Sequence, residues 1–264
     1  MKNFMGILIA CLIFFSCTEK KTETTNYVQE GEIQLAKPRI AVSSTIIDSF
    51  VTMKPEIRME NLSVFYEVDG KKGMESSSKV QTTVIAEEAG TFNFRGYHPD
   101  WKPSEATEIR LYKKGFIPDK ITWQTQASDT YKGQGETTLI NNKKASLKFR
   151  DVEWTGFDTI AKATVSFPKK TYIKSLTIGY LIDPKSWIFP PEEITLYFND
   201  KDSINLKIPA LTLQEIIKLD DVKIPIEKEI NTLIVHVKNV QKLPDWHAGK
   251  GLKAWLFMDE WIFN

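Results

Sequence analysis

Apolar residues at every second position dominate the second half of the chain and leave room for little but β-structure. Ala161, Ala163, Val165 and Phe167 alternate with Lys162, Thr164 and Ser166. Leu176, Ile178 and Tyr180 repeat the rule, as do Ile194, Leu196 and Phe198, then Ile204, Leu206 and Ile208, then Leu233, Val235 and Val237. Successive side chains of a strand point to opposite faces, so each run reads as a strand with one buried face. Pro168, Pro184, Pro190, Pro191, Pro209, Pro225 and Pro244 fall mainly between these runs, where they remove no ladder hydrogen bond. Residues 212–219 leave room for one short helical turn, and the rest of this half has no helical period. The pattern predicts a jelly-roll β-sandwich over residues 124–264.

The first half has shorter runs of the same period. Leu62, Val64, Tyr66 and Val68 alternate with Ser63, Phe65 and Glu67, and Asp69-Gly70 ends the run in a tight turn. Residues 82–86, 91–95 and 108–112 read as further strands. Short, regularly spaced strands over residues 38–123 predict an immunoglobulin-like or fibronectin-like sandwich. The chain is therefore expected to be all-β, with two sandwiches in series.

The N-terminus reads as an export signal. Lys2 supplies the charge and residues 4–15 the apolar core, which is shorter than the ~20 residues that span a bilayer. Ser16-Cys17 then gives way to Thr18-Glu19-Lys20-Lys21, which resembles a bacterial lipobox with Cys17 as the acylated first residue. Cys11, after Leu8-Ile9-Ala10, is the other candidate, and a plain signal peptide is the third reading. The expectation is a signal over residues 1–16, a polar tether over 17–37, and attachment through Cys17 to a bacterial membrane, facing the periplasm or the cell surface. With Cys17 in that role the folded part has no cysteine, hence no disulfide framework and no thiol chemistry. A formal net charge of +1 with interspersed acids and bases argues against a nucleic-acid partner.

Two stretches carry family resemblances. Phe50-Val51-Thr52-Met53, Val64 through Gly70, Ser76-Ser77-Ser78 and Pro103-Ser104 follow the order seen in the fibronectin-like C-terminal domain of chitobiases and β-hexosaminidases. Glu67 stands where that family has Thr, and its Pro after Asp-Gly is missing. Tyr131-Lys132-Gly133-Gln134-Gly135, Trp154-Thr155-Gly156-Phe157, Ser186-Trp187-Ile188-Phe189-Pro190-Pro191 and the segment from Trp246-His247 to Glu260 resemble the discoidin-like, galactose-binding-like module that ends Bacteroidota β-N-acetylhexosaminidases. The first resemblance implies a spacer, the second a binding module. Such modules often hold a calcium ion, with an Asp-Gly loop and a C-terminal Glu. Glu260 matches the Glu and Asn141-Asn142 stands in the loop position, so a structural calcium at Asn141 and Glu260 is the one cofactor the resemblance implies.

Catalysis has little to stand on. Glycoside hydrolysis uses two carboxylates flanking one bond. Asp259 and Glu260 are adjacent on a predicted strand, which should send them to opposite faces. His98, His236 and His247 are the three histidines, none in a nucleophile-elbow setting and none at zinc-ligand spacing. Sugar binding needs less: an aromatic face and a few polar groups on loops at one end of the sandwich. Trp246 and His247, on a turn held by Pro244, Gly249 and Gly251, are candidates, with Trp187 and Trp154 at loop–strand junctions. For Trp187 and Trp154 the core reading is the stronger one, and for Trp246-His247 binding and structural readings stand level. The sequence thus points to a non-catalytic protein whose partner is a glycan or, alternatively, a surface protein.

Overall fold

The structure, a computed structural model, describes residues 33–69, 78–199, 202–212 and 216–264. The signal segment, Cys17, tether residues up to 32, Gly70, Ser76-Ser77 and the middle of the 212–219 stretch lie outside the described residues. Lys218 and Leu219, the end of that last stretch, open a strand rather than a helical turn.

The chain is all-β, as its period-two pattern predicts. The first sandwich has a small sheet of β1 (Ile40–Val42), β3 (Val51–Pro55) and β6 (Val84–Ala86), in that order. A larger sheet runs β2 (Ile46–Ile47), β8 (Thr107–Lys113), β7 (Gly90–Tyr97), β4 (Ser63–Val68), β5 (Ser78–Lys79). Val51, Met53, Val64, Phe92, Phe94 and Leu111 meet between the sheets. This sandwich begins earlier than the sequence suggests. The Leu35 amide donates to the Lys102 carbonyl at 3.0 Å and the Leu35 side chain is buried, so residues 33–37 are tied down rather than part of a tether.

The second sandwich is built from β9 (Lys120–Trp123), β10 (Thr155–Phe157), β11 (Ala161–Ile182), β12 (Glu193–Asn199), β13 (Asp202–Lys207), β14 (Lys218–Lys238) and β15 (Leu256–Phe263). Their order is β10-β15-β11-β14-β12-β13, with β9 also on β11. β9 lies within residues 38–123, yet it pairs Trp123 with Ala163 and Ile121 with Val165 and so belongs to the sheet of the second sandwich.

Two strands carry this architecture. β11 and β14, 22 and 21 residues long, stay paired with each other through register shifts between Ser166 and Thr171 and between Ile173 and Ser175. Bulges bend strands. One half of the pair joins β9, β12 and β13, the other joins β15 and β10, and a single sheet thereby supplies both walls. Val165, Leu233 and Leu196 from one wall meet Ile178, Ile224 and Met258 from the other in one core. Pro168 and Pro225 lie inside these strands, not between them, and sit at or beside the register shifts, where ladder donors are already lost.

The two sandwiches meet through directed contacts. The Phe116 amide donates to the Phe263 carbonyl at 2.6 Å, and a Cβ on Gly115 would lie 2.3 Å from that same oxygen. Arg110 Nη1 and Tyr112 Oη, both on β8, donate to Asp221 Oδ2 on β14 at 2.8 and 2.6 Å. Burial and the Asp221 carboxylate hold the Tyr112 hydroxyl in its protonated form, its pKa well above the usual phenol range.

Candidate functional site

The structure brings three of the predicted residues together at the rim where β15 begins, and turns them towards each other. A 3-10 turn over Pro184–Ser186 is capped by Asp183, whose Oδ1 accepts from the Ser186 amide at 3.3 Å. Trp187 follows at φ 66°, a left-handed conformation that swings its half-buried ring across Gly249. A Cβ on Gly249 would stand 2.5 Å from the Trp187 ring, so only glycine fits there. The His247 ring packs edge-on against Trp187 at 5.3 Å, and Trp246 stacks on Phe189 at 5.8 Å.

His247 is not the exposed contact that its turn suggested. It is buried, its Nδ1 accepts from the Gly249 amide at 3.0 Å, and its Nε2 lies 2.8 Å from the Pro184 carbonyl oxygen. A carbonyl only accepts, so Nε2 carries the proton and both ring nitrogens are occupied in joining two loops. Trp154 takes the core place rather than the binding one: it is 1% exposed, packs with Leu181, Ile188 and Phe257, and donates from Nε1 to the Ser146 carbonyl at 2.9 Å. Trp246 and Trp187 stay half-buried over a small apolar cluster with Phe189, Leu243 and Ala254. Beside them a cleft of about 400 Å³ is walled mainly by Phe189, Pro190, Pro191, Leu211, Val240 and Pro244, and offers few directed polar groups.

A more polar concavity of about 490 Å³ opens between residues 129–133 and 149–154. Its lining includes Asp129, Tyr131, Lys132, Phe149, Arg150 and Asp151. Tyr131 ends a 3-10 turn in which Ser128 Oγ accepts from the Thr130 amide, and its ring rests on Phe257 at 4.9 Å and Trp255 at 5.4 Å. Gly133, at φ 61°, turns the chain away over Thr138. The facing loop is clipped by Asp151, which accepts from the Ser146 amide at 3.0 Å and the Glu153 amide at 3.1 Å. Burial would raise the Asp151 carboxyl, but the Ser146 hydroxyl and these amides outweigh it and hold its pKa below the usual value. Asp151 is therefore ionised at neutral pH, and the Arg150 guanidinium lies over the Phe149 ring at 5.5 Å. The cleft thus presents half-buried aromatic faces beside both signs of charge on a loop with internal hydrogen bonds. The sequence offered Trp154 as a binding candidate and Tyr131 only as a family marker, and Phe149, Arg150 and Asp151 were not singled out. The available signal was Asp151 two residues before Glu153, the spacing at which an Asp side chain closes a turn on the backbone.

The adjacent acids behave differently from the alternation rule. Met258 pairs with Tyr180 and Trp261 with Ile178, so Gly179 alone opposes both Asp259 and Glu260. That two-against-one count is a bulge, and it sends both carboxylates under the same loop, 142–145. Asp259 Oδ1 lies 2.6 Å from Lys144 Nζ and its Oδ2 accepts from the Ala145 amide at 3.1 Å. Glu260 Oε1 accepts from the Asn142 amide at 3.1 Å, while Oε2 has no hydrogen-bond partner among the described residues. Burial pushes the Glu260 carboxyl up to about 8. At 1% and 2% exposure these acids are sealed from any substrate.

The calcium expectation does not survive this geometry. Calcium takes roughly six to eight oxygen ligands. Asn141 Oδ1 accepts from the Lys143 amide and its Nδ2 donates to Glu153, so its side chain is engaged away from Glu260. The loop aims N–H groups at Glu260, and the Lys144 ammonium already meets Asp259. No cluster of three or more His, Cys, Asp or Glu suited to a metal occurs among the described residues. The residues present do not fit the ion.

No protein-family model matches the chain. No curated protein matches it either. Solved structures resemble it in architecture. The CBM32-4 module of a Clostridium perfringens GH89 protein, in complex with GlcNAc-α-1,4-galactose, is 12% identical, with a TM-score of 0.34 over 56% of this chain and 91% of that one. A CBM32-2 module of a GH31 protein bound to GalNAc is 12% identical, with a TM-score of 0.35 over 55% of this chain and 96% of that one. A SusE-like protein is 9% identical, with a TM-score of 0.30 over 85% of this chain and 95% of that one. At these scores and identities the likeness assigns neither a site nor a ligand.

Proposed function

We propose that the chain is a non-catalytic glycan-binding accessory protein of the bacterial cell envelope, held at a membrane by acyl chains on Cys17. The observation that carries the binding half is the cleft at 129–133 and 149–154. It sets Tyr131 and Phe149 beside Asp129, Lys132, Arg150 and Asp151 in about 490 Å³, a volume suited to a small saccharide. A pyranose offers an apolar C–H face to an aromatic ring, and its hydroxyls pair well with ionised donors and acceptors. The anchoring half rests on the apolar residues 4–15 and the Ser16-Cys17 junction.

Titration of the full chain with a panel of hexoses and N-acetylhexosamines tests the first half. Binding should disappear in Arg150→Ala at an unchanged melting temperature, and in Tyr131→Ala while the variant stays folded at a lower one. Binding that survives both variants sinks this site, and turnover of a chromogenic hexosaminide sinks the non-catalytic claim. Fractionation of cells carrying Cys17→Ala tests the second half: the variant should leave the membrane fraction.

A protein-docking role is the alternative reading. Leu147 and Val152, 52% and 62% exposed near the same cleft, suit an apolar partner surface. A chain that binds no glycan and co-purifies with an envelope hydrolase or transporter would favour it.

A further inference from the structure

The outward face of the wall built from β9, β11, β14, β12 and β13 is a second surface with binding character. Strand register lines its side chains into rows. Thr164, Ile234, Tyr197 and Ser203 are successive cross-strand neighbours. Lys162, His236, Thr195 and Asn205 form the row beside them. Five strands at ~4.8 Å spacing make this platform about 19 Å across. A cleft of about 410 Å³ opens on it at Tyr197, Thr232, Ile234 and His236. The Tyr197 ring stands edge-on to His236 at 5.0 Å, and Ile234 is 38% exposed.

The charges on this face are unevenly placed. Glu193 sits at one rim, opposite both Lys207 and Lys238, and Lys238 is bonded to Glu192 at 2.9 Å. Lys120 lies at the other rim, across from Ser166. Between the rims stands Lys162, half-buried, with no ion pair among the described residues and directly across from His236. Burial first, and the Lys162 charge second, lower the pKa of His236. The middle of the platform is thus one unpaired ammonium and a neutral imidazole among hydroxyl, amide and aromatic groups. Its complement is a ligand rich in hydroxyls that carries a carboxylate.

We propose that this face binds a linear glycan containing uronic acid, laid across the strands, with Lys162 receiving a carboxylate and Tyr197 packing on a sugar ring. The surface is separate from the loop cleft, and the inference does not depend on that cleft.

Calorimetric titration of the full chain with β-1,4-linked tetraglucuronate tests it, with cellotetraose as the same backbone lacking the carboxylates. Tetraglucuronate should bind, and cellotetraose should bind at least about tenfold more weakly. Lys162→Glu should weaken tetraglucuronate at least about tenfold at an unchanged melting temperature, and Lys162→Arg should restore it. The His236 imidazole, followed by NMR, should titrate at higher pH in the bound state, because a carboxylate offsets the Lys162 charge. No binding by the folded chain, equal binding of cellotetraose, or equal binding of a single-stranded DNA oligomer would overturn the proposal. In an Arg150→Ala background, which disables the loop cleft, Lys162→Glu should still weaken tetraglucuronate at least about tenfold, and no effect of Lys162→Glu in that background would also overturn it.

Discussion

Gly179 cedes its side-chain space to Asp259: a Cβ there would lie 2.2 Å from Oδ1 and 1.9 Å from Lys144 Nζ. The ion pair packed on this glycine is nearly solvent-free, with side chains 6% and 1% exposed. Gly179→Ala must displace one of the two charges or bend β11. Breaking a buried pair and overpacking a core each cost a few kcal/mol, so the variant should lose about 2–4 kcal/mol, read as a lower midpoint in urea denaturation. An unchanged midpoint would contradict the packing described.

Glu260 should make the protein less stable as pH rises. Its carboxyl has an ordinary value of 4.5 and a folded value of about 8. Below about pH 4.5 it is protonated folded and unfolded, and contributes no pH dependence. Between these values the unfolded chain releases the proton while the folded chain keeps it, so stability declines until pH reaches about 8 and then levels. Glu260→Gln removes the titration. The variant should match the parent in melting temperature near pH 4 and exceed it near pH 9, by on the order of a few kcal/mol in denaturation. Parallel pH profiles for the two proteins would refute this.

Asp221 is the hinge pin between the sandwiches. Asp221→Ala leaves the Arg110 guanidinium and the Tyr112 hydroxyl without their shared acceptor, at a cost of about 1–3 kcal/mol. The parent should unfold in one calorimetric transition and the variant in two, the first sandwich melting earlier. A single, undisplaced transition would show that the apolar contacts suffice.

His247→Ala should lower the melting temperature without altering saccharide binding at the 129–133 cleft. The variant removes the hydrogen bonds that join the Pro184 and Gly249 loops, worth about 1–3 kcal/mol together. Loss of binding at constant stability would return His247 to the role its sequence suggested.

Calcium should be without effect. Millimolar calcium and a chelator are each expected to leave the melting temperature where it was, because Lys144 already neutralises Asp259. Stabilisation by calcium would require the 141–145 loop to turn its carbonyls inward.

The strands of this chain were legible because alternation is a local signal. Ala161, Val165, Leu233 and Val237 are buried as the pattern predicts. What escaped depends on a second strand or loop. The bulge at Asp259-Glu260 exists only in the pairing with Gly179, so no inspection of β15 by itself would find both acids on one side. The continuity of β11 through Pro168 was hidden for the same reason, since proline reads as a strand end until a bulge accommodates it. Trp154 and Trp187 occupy similar junctions in sequence, yet an internal hydrogen bond to Ser146 buries one and a left-handed turn leaves the other half open. The cleft joins residues 129–133 to 149–154, and no local pattern in either segment shows that the two face each other.

Both walls of the second sandwich are made of the same two backbones, β11 and β14. Neither wall is a separable half. Pulling on the rim near Trp187 loads β11, which ends at Ile182 and carries Lys162 and Thr164 of the outward face near its other end. Strain from a ligand seated at one end therefore has a continuous mechanical route to the other, and any partial opening has to begin at the ends of those strands rather than between the walls.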